Sequence, residues 1–144
     1  MADEVRRTRL APAYGHPAHL EIASGTGPCR CCLRKFTPGT DRRLLFTYRP
    51  PETDGCLMAP GPVFIHAEHC EAFAGDGFPE GLRSLPLAFE ARASGGRVVE
   101  ISARQELSAE AQMSVLFEEM FAQWLHVRHA VAGCYIARVD RVRI

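Results

Sequence analysis

One stretch of this chain repeats its apolar residues at the helical interval, and that restricts the folds open to it. Met113, Leu116, Phe117, Met120, Phe121 and Trp124 recur every three to four residues, the spacing that lines side chains along one helix face. Ser108 stands ahead of them as an N-cap and Glu110 falls in the first turn, where an acidic group is favoured. A helix is therefore expected over 108–123, with the Met/Phe stripe turned to the core. The remaining apolar segments are short and read as strands: His19–Ala23, Arg42–Tyr48 (ended by Pro50 and Pro51), Gly61–His66, Leu82–Arg92, Gly96–Ile101, Leu125–Val131 and Cys134–Ile144. Turns at Ser94-Gly95-Gly96 and Ala132-Gly133 join the last four in pairs. A polar loop through Asp54 and Gly55 precedes the third, and Ala67–Phe73 reads as one or two helical turns stopped by Gly75 and Gly77.

This pattern is α+β: a single domain over 28–144, a mostly antiparallel sheet with one principal helix packed on it. A loop-rich segment over 1–27 precedes it. At 144 residues the chain is long enough to bury a sizeable core. Hydrophobic residues at 47% and charged residues at 24% exclude a disordered chain, a collagen-like chain and a coiled coil.

Seventeen Lys+Arg balance seventeen Asp+Glu, so no global charge points to nucleic acid or to an anionic membrane. The zero net charge permits a homo-oligomer without marking an interface. The signs are unevenly placed, with basic ends and an acidic middle, so the ends can lie against the middle, the preferred reading, or form a basic face for an anionic ligand. No apolar run has the length of a secretory signal or of a membrane span, and a cytoplasmic protein is expected. In a reducing compartment the cysteines at 29, 31, 32, 56, 70 and 134 read as thiols, ligands or core residues, not as a disulfide framework.

The densest chemistry lies in Cys29-Arg30-Cys31-Cys32, between Pro28 and Pro38-Gly39. A C-x-x-C spacing in a tight turn lets two thiolates meet one zinc ion. His66 and Cys70 are four apart and share a face if Ala67–Phe73 is helical. Cys29, Cys32, His66 and Cys70 would then make a Cys3His zinc site, the alternative being free thiols in the core. A thioredoxin-type redox role for Cys29 and Cys32 fits poorly, because Lys35–Gly39 cannot sustain the helix that would lower a thiol pKa. Cys31 and Cys32 point to opposite sides of any extended segment and make a poor disulfide with each other.

The C-terminal strands carry a second group. Alternation places His126 and Arg128 on one face, and Leu125, Val127 and His129 on the other. A turn centred on Val131-Ala132 sets His129 across from Cys134, an imidazole beside a thiol as in an activated nucleophile, or a core pair. No Asp or Asn stands at a spacing that marks a third, orienting member. Arg128, Arg138 and Arg141 can bind a carboxylate or phosphate, or sit on a solvated strand edge. Glycine-rich phosphate loops, nucleophile elbows, paired-histidine zinc-protease motifs and dinucleotide fingerprints are absent from the sequence.

Pro28-Cys29-Arg30 with Leu33, Leu44-Leu45 with Tyr48, Gly61–Ile65, and His126-Val127 with Gly133-Cys134-Tyr135 and Arg138–Arg141 together resemble the bacterial domain-of-unknown-function family twelve-oh-three, over residues 28–143. The resemblance implies a small intracellular bacterial protein and brings no established reaction or ligand. It implies that Cys29, Arg30, His126, Gly133, Cys134 and Tyr135 follow the family pattern, while Cys31, Cys32 and Cys70 do not, and that His129 replaces a usual Asn. It thereby favours a site built from Cys29, His126 and Cys134, with Arg30 and Tyr135 beside the arginines as ligand contacts. Three functions follow. The first is a binding domain whose Cys/His/Arg cluster holds a metal ion, with zinc favoured, or a small anion. The second is an enzyme with Cys29 or Cys134 as nucleophile and His126 or His129 as base. The third is an interaction protein with core cysteines.

Overall fold

The computed structural model of the chain describes residues 2–25, 27–50, 58–75 and 77–141. Its described residues fall into two compact units, those of Met1–Pro50 with Ala59–Ser84, and those of Pro51–Met58 with Leu85–Ile144. The α+β class holds, with the strands divided between two antiparallel sheets rather than joined in one. The loop through Asp54 and Gly55, with Cys56, lies outside the described residues.

In the first unit β1 (His19–Ile22), β2 (Arg42–Tyr48) and β3 (Gly61–His66) form a sheet in that order. The bounds of β2 and β3 are those their sequence gives, because prolines and glycines flank runs of aliphatic and aromatic residues. Phe46 pairs with Val63 and Leu44 with Ile65, so side chains from both strands meet on one face and build the core with Tyr48 and Phe36. Burying each such side chain contributes about 1.5–3 kcal/mol. Onto this core docks a helix the sequence did not announce, α1 (Ala2–Thr8). Seven residues are too few to hold a helix in isolation. Docking supplies the rest, since Val5 is fully buried and the Tyr48 hydroxyl donates to Glu4 Oε2 at 2.9 Å. Arg43 is buried by a different device. Its Nε donates to Glu21 Oε1 at 2.8 Å, and its guanidinium lies 3.9 Å from the centroid of the Phe64 ring, a cation–π contact.

In the second unit β4 (Leu87–Arg92), β5 (Val98–Ser102), β6 (Trp124–His129) and β7 (Tyr135–Asp140) form a sheet ordered β5-β4-β6-β7. The strand expected from Leu82 begins five residues later. Glu80–Leu82 is a single 3-10 turn, and Pro86, with no N–H to give a ladder, precedes the first residue of β4. Leu87, Phe89 and Ala91 alternate into the core and pair with β6, where Leu125 and Val127 are fully buried.

The helix α2 (Ala109–Glu118) packs on β4 and β5. Ser108 caps it as expected, its Oγ accepting from the Ala111 N–H at 3.1 Å. Its far end falls five residues short of Gln123. Phe121 takes a left-handed φ of 55°, and the Ala122 N–H reaches back six residues to Leu116 O at 3.0 Å, a turn one residue wider than a Schellman closure. The apolar stripe is cut accordingly: Leu116 is buried, whereas Met120 and Phe121 are exposed and are not core residues. Gln112 supplies the rest of the packing, its buried Oε1 accepting from Ser102 Oγ at 2.7 Å and from the Arg104 N–H at 3.0 Å. No helix among the described residues is long and apolar enough to cross a membrane.

Candidate metal centre

Cys29 and Cys32 lie in a turn closed by paired backbone bonds, Cys29 N–H to Arg34 O and Leu33 N–H to Cys29 O, both at 2.8 Å. Leu33 completes the turn at a φ of 60°, a left-handed conformation that costs a branched residue about 1–2 kcal/mol. The turn aims backbone donors at sulfur: the N–H groups of His66 (3.3 Å) and Cys32 point to Cys29 Sγ, and that of Arg34 to Cys32 Sγ. Such donors stabilise thiolate over thiol. There is no helix N-terminus here, and the redox-motif geometry is accordingly missing.

His66 ends β3 and puts its Nδ1 3.6 Å from Cys32 Sγ. Its other ring nitrogen, Nε2, is 3.5 Å from Asp41 Oδ2, and the Phe36 ring covers it at a centroid distance of 4.6 Å. Asp41 is itself fixed by the Thr37 N–H at 2.7 Å, which, ahead of His66, holds its carboxyl below the usual range. A carboxylate behind a histidine fixes the tautomer that leaves the opposite nitrogen free to ligate.

Cys70 arrives by a route other than the expected one. Ala67–Phe73 is irregular, not helical. The carbonyls of His66 and Glu68, which a helix would need for its own ladder, instead accept from Arg6 Nη2 at 3.0 and 3.1 Å. The bend nevertheless brings Cys70 Sγ to 3.8 Å from Cys29 Sγ.

The four ligand atoms of Cys29, Cys32, His66 and Cys70 all lie within 4.8 Å of one another. Bonds of about 2.3 Å to sulfur and 2.0–2.1 Å to nitrogen give a tetrahedral centre edges of about 3.8 Å between sulfurs and 3.6 Å between sulfur and nitrogen. The Cys29–Cys70 and Cys32–His66 separations are 3.8 and 3.6 Å, so these residues fit a four-coordinate metal. Among the described residues this is the group of three or more His, Cys, Asp or Glu side chains placed to hold an ion. The thiols crowd one another. The Cys31 hydrogen bond, followed by burial, raises the Cys29 thiol, while Cys29 and burial push Cys32 up to about 12. Cys31 lies beside this cluster, and its bond with Cys29 lowers its pKa.

The other sequence-derived residues are distributed as follows. Arg30 is buried in the first unit, its N–H bonded to Phe64 O at 2.8 Å. Cys29 belongs to that unit, and His126, His129 and Cys134 to the second. His126 is 2% exposed. Its Nε2 accepts from the Trp124 indole at 3.2 Å, its Nδ1 is 4.0 Å from Glu90 Oε1, and Tyr135 stands edge-on to its ring at 5.1 Å. Burial, helped by Arg92, lowers its pKa to about 4. His129 pairs with Cys134 through its backbone N–H at 2.9 Å, but its Nδ1 accepts from the N–H groups of Val131 and Ala132. Arg128 donates to Glu90 Oε1 at 2.9 Å. Arg138 pairs with Asp140 at 2.7 Å and stacks on Trp124. Arg141 donates to the carbonyls of Phe117 and Ala122, closing the end of α2.

Three partners in these two groups escaped sequence reasoning. Arg6 and Asp41 have no spacing that ties them to Cys70 and His66. Glu90, the carboxylate facing His126, becomes its neighbour through the β4–β6 register, a relation no local motif signals.

Fold and site together define an α+β protein with a Cys3His cluster able to hold a metal. The chain matches the family model described as protein of unknown function (DUF1203) over residues 26–141, and it belongs to that family. Comparison with curated proteins and with solved structures gave no match.

Proposed function

We propose that the chain is a zinc-binding protein whose Cys29, Cys32, His66 and Cys70 hold one structural zinc ion. The observation that carries the reading is the pair of ligand separations, 3.8 Å between Cys29 and Cys70 sulfurs and 3.6 Å from Cys32 sulfur to His66 Nδ1, both edges of a zinc tetrahedron. Three sulfurs and one imidazole suit zinc's borderline-soft character, and four protein ligands leave no open position for substrate, the mark of a structural site. The five cysteines free of disulfides among the described residues suit the reducing interior of a bacterial cell, and a cytoplasmic setting is part of the proposal.

The test is metal content of natively purified, untagged protein by inductively coupled plasma mass spectrometry, with thiol titration of the same sample. The expected result is near one zinc per chain, with Cys29, Cys32 and Cys70 protected from alkylation. Metal-free protein that also fails to take up added zinc, with all thiols reacting alike, would overturn it.

A further inference from the structure

The weakest link in the metal cluster is the segment that carries Cys70. Cys29 and Cys32 are held by a backbone-closed turn and His66 by the ladder of β3, but Ala67–Phe73 has neither helix nor strand. Three of the hydrogen bonds that shape it and its departure from β3 come from one side chain. Arg6 Nη2 donates to His66 O at 3.0 Å, to Glu68 O at 3.1 Å and to Cys70 Sγ at 3.4 Å. Other ties are the Ala67 N–H to Arg42 O at 3.0 Å, the long Phe73 N–H to Cys31 O at 3.4 Å, the Cys29–Cys70 sulfur contact at 3.8 Å, and exposed Arg42–Glu68 and His69–Glu71 pairs.

We infer that Arg6 is a positioning residue: it delivers Cys70 to the metal and compensates the charge of the loaded site. The inference rests on the zinc reading above and deepens it. A divalent ion with three thiolates and a neutral imidazole carries a net charge of −1, and a half-buried guanidinium in contact with one of those sulfurs cancels it. A hydrogen bond from a cation to an anionic acceptor is about twice as strong as a neutral one. All three contacts come from Nη2, whose two hydrogens are shared among two carbonyls and the sulfur; lysine would keep the charge on a shorter stem.

The arm that holds Arg6 is itself anchored. Val5 is fully buried and Tyr48 ties down Glu4, so the guanidinium is presented from a docked helix rather than from a loose terminus. The family match begins at residue 26, which leaves α1 outside the matched region.

Cobalt(II) is the probe, because its absorption reports tetrahedral geometry and its sulfur charge-transfer band scales with the number of bound thiolates. Wild type, Arg6→Ala, Arg6→Lys, Cys70→Ala and the Arg6→Ala/Cys70→Ala double variant are titrated with cobalt. Cysteine alkylation is then mapped on each loaded protein. Arg6→Ala is expected to lose about a third of the charge-transfer band and to weaken binding about 10- to 100-fold, the range for outer partners of metal ligands. Arg6→Lys should fall between Arg6→Ala and wild type. The double variant should bind no more weakly than Cys70→Ala alone. In loaded Arg6→Ala, Cys70 should alkylate while Cys29 and Cys32 stay protected, a pattern that general unfolding does not produce.

The inference is overturned if Arg6→Ala keeps the full band and binds within about twofold of wild type. It is equally overturned if all three cysteines alkylate together, because Arg6 then supports the fold and not the ligand. Failure of wild type to bind cobalt or zinc would remove the metal reading and this inference with it. A normal wild type beside an unaffected Arg6→Ala removes this inference alone.

Discussion

Acidification should weaken the second unit through a single imidazole. His126 has an ordinary pKa of about 6.5 in an unfolded chain, and burial, with Arg92, lowers it to about 4 in the fold. The unfolded state therefore binds the extra proton more readily. The stabilisation is complete above pH 6.5 and is lost as the pH falls towards 4. A gap of about 2.5 units at 1.36 kcal/mol each sets a ceiling of about 3.4 kcal/mol. Between pH 7.5 and 5.0 the same linkage gives a loss of about 2 kcal/mol. His126→Gln is the matched control. The amide cannot titrate, its oxygen can accept from the Trp124 indole in place of Nε2, and its own packing cost is the same at every pH. Urea unfolding followed by the fluorescence of Trp124, the chain's one tryptophan, measures both proteins at each pH. Acid effects on the cysteine cluster are common to both and cancel in the difference. Wild type should lose about 2 kcal/mol relative to His126→Gln between the two pH values. Parallel curves, with the difference constant within about 0.5 kcal/mol, would refute the argument and mean that protonated His126 is accommodated between Glu90 and Trp124 without cost.

Two further substitutions probe the proposed metal centre from behind. Asp41→Asn removes the charge that orients His66 through Nε2; zinc affinity should fall about 10-fold or more while the number of bound ligands is unchanged, measured by competition with a chromophoric chelator. Gly81 approaches the cysteine turn so closely that an added Cβ would stand 2.7 Å from Leu33 O and 3.0 Å from Arg34 Cα. Gly81→Ala should therefore cost about 1–3 kcal/mol and raise the zinc off-rate; an unchanged melting temperature and off-rate would show that the turn yields freely.

How far the sequence could be read varies with the range of the forces involved. β2 and β3 were legible to the residue because local propensity and the flanking prolines and glycines agree. Ser108 as an N-cap was legible for the same reason. The end of α2 was not, because an apolar periodicity that continues through Phe121 gives no sign of the left-handed residue that stops the helix. The four residues of the candidate metal cluster were legible by type and spacing, but not the route that brings them together. A helix was expected to pair His66 with Cys70, whereas Arg6 takes the carbonyls that helix would use, from 60 and 62 positions away. Interactions of that range leave no periodicity.

The cluster has a consequence for chain topology. Cys29 and Cys70 are 41 positions apart, and both β2 and β3 lie between them. A metal bound by these residues closes that stretch into a ring. If it constrains the unfolded chain as a covalent cross-link of the same span would, the entropy removed is worth about 4 kcal/mol at 25 °C. The same ring means that a backbone cut between Cys32 and His66 would not by itself separate the two halves of the first sheet. Each piece would keep two of the four ligands, and the nicked chain would stay joined for as long as the ion remained.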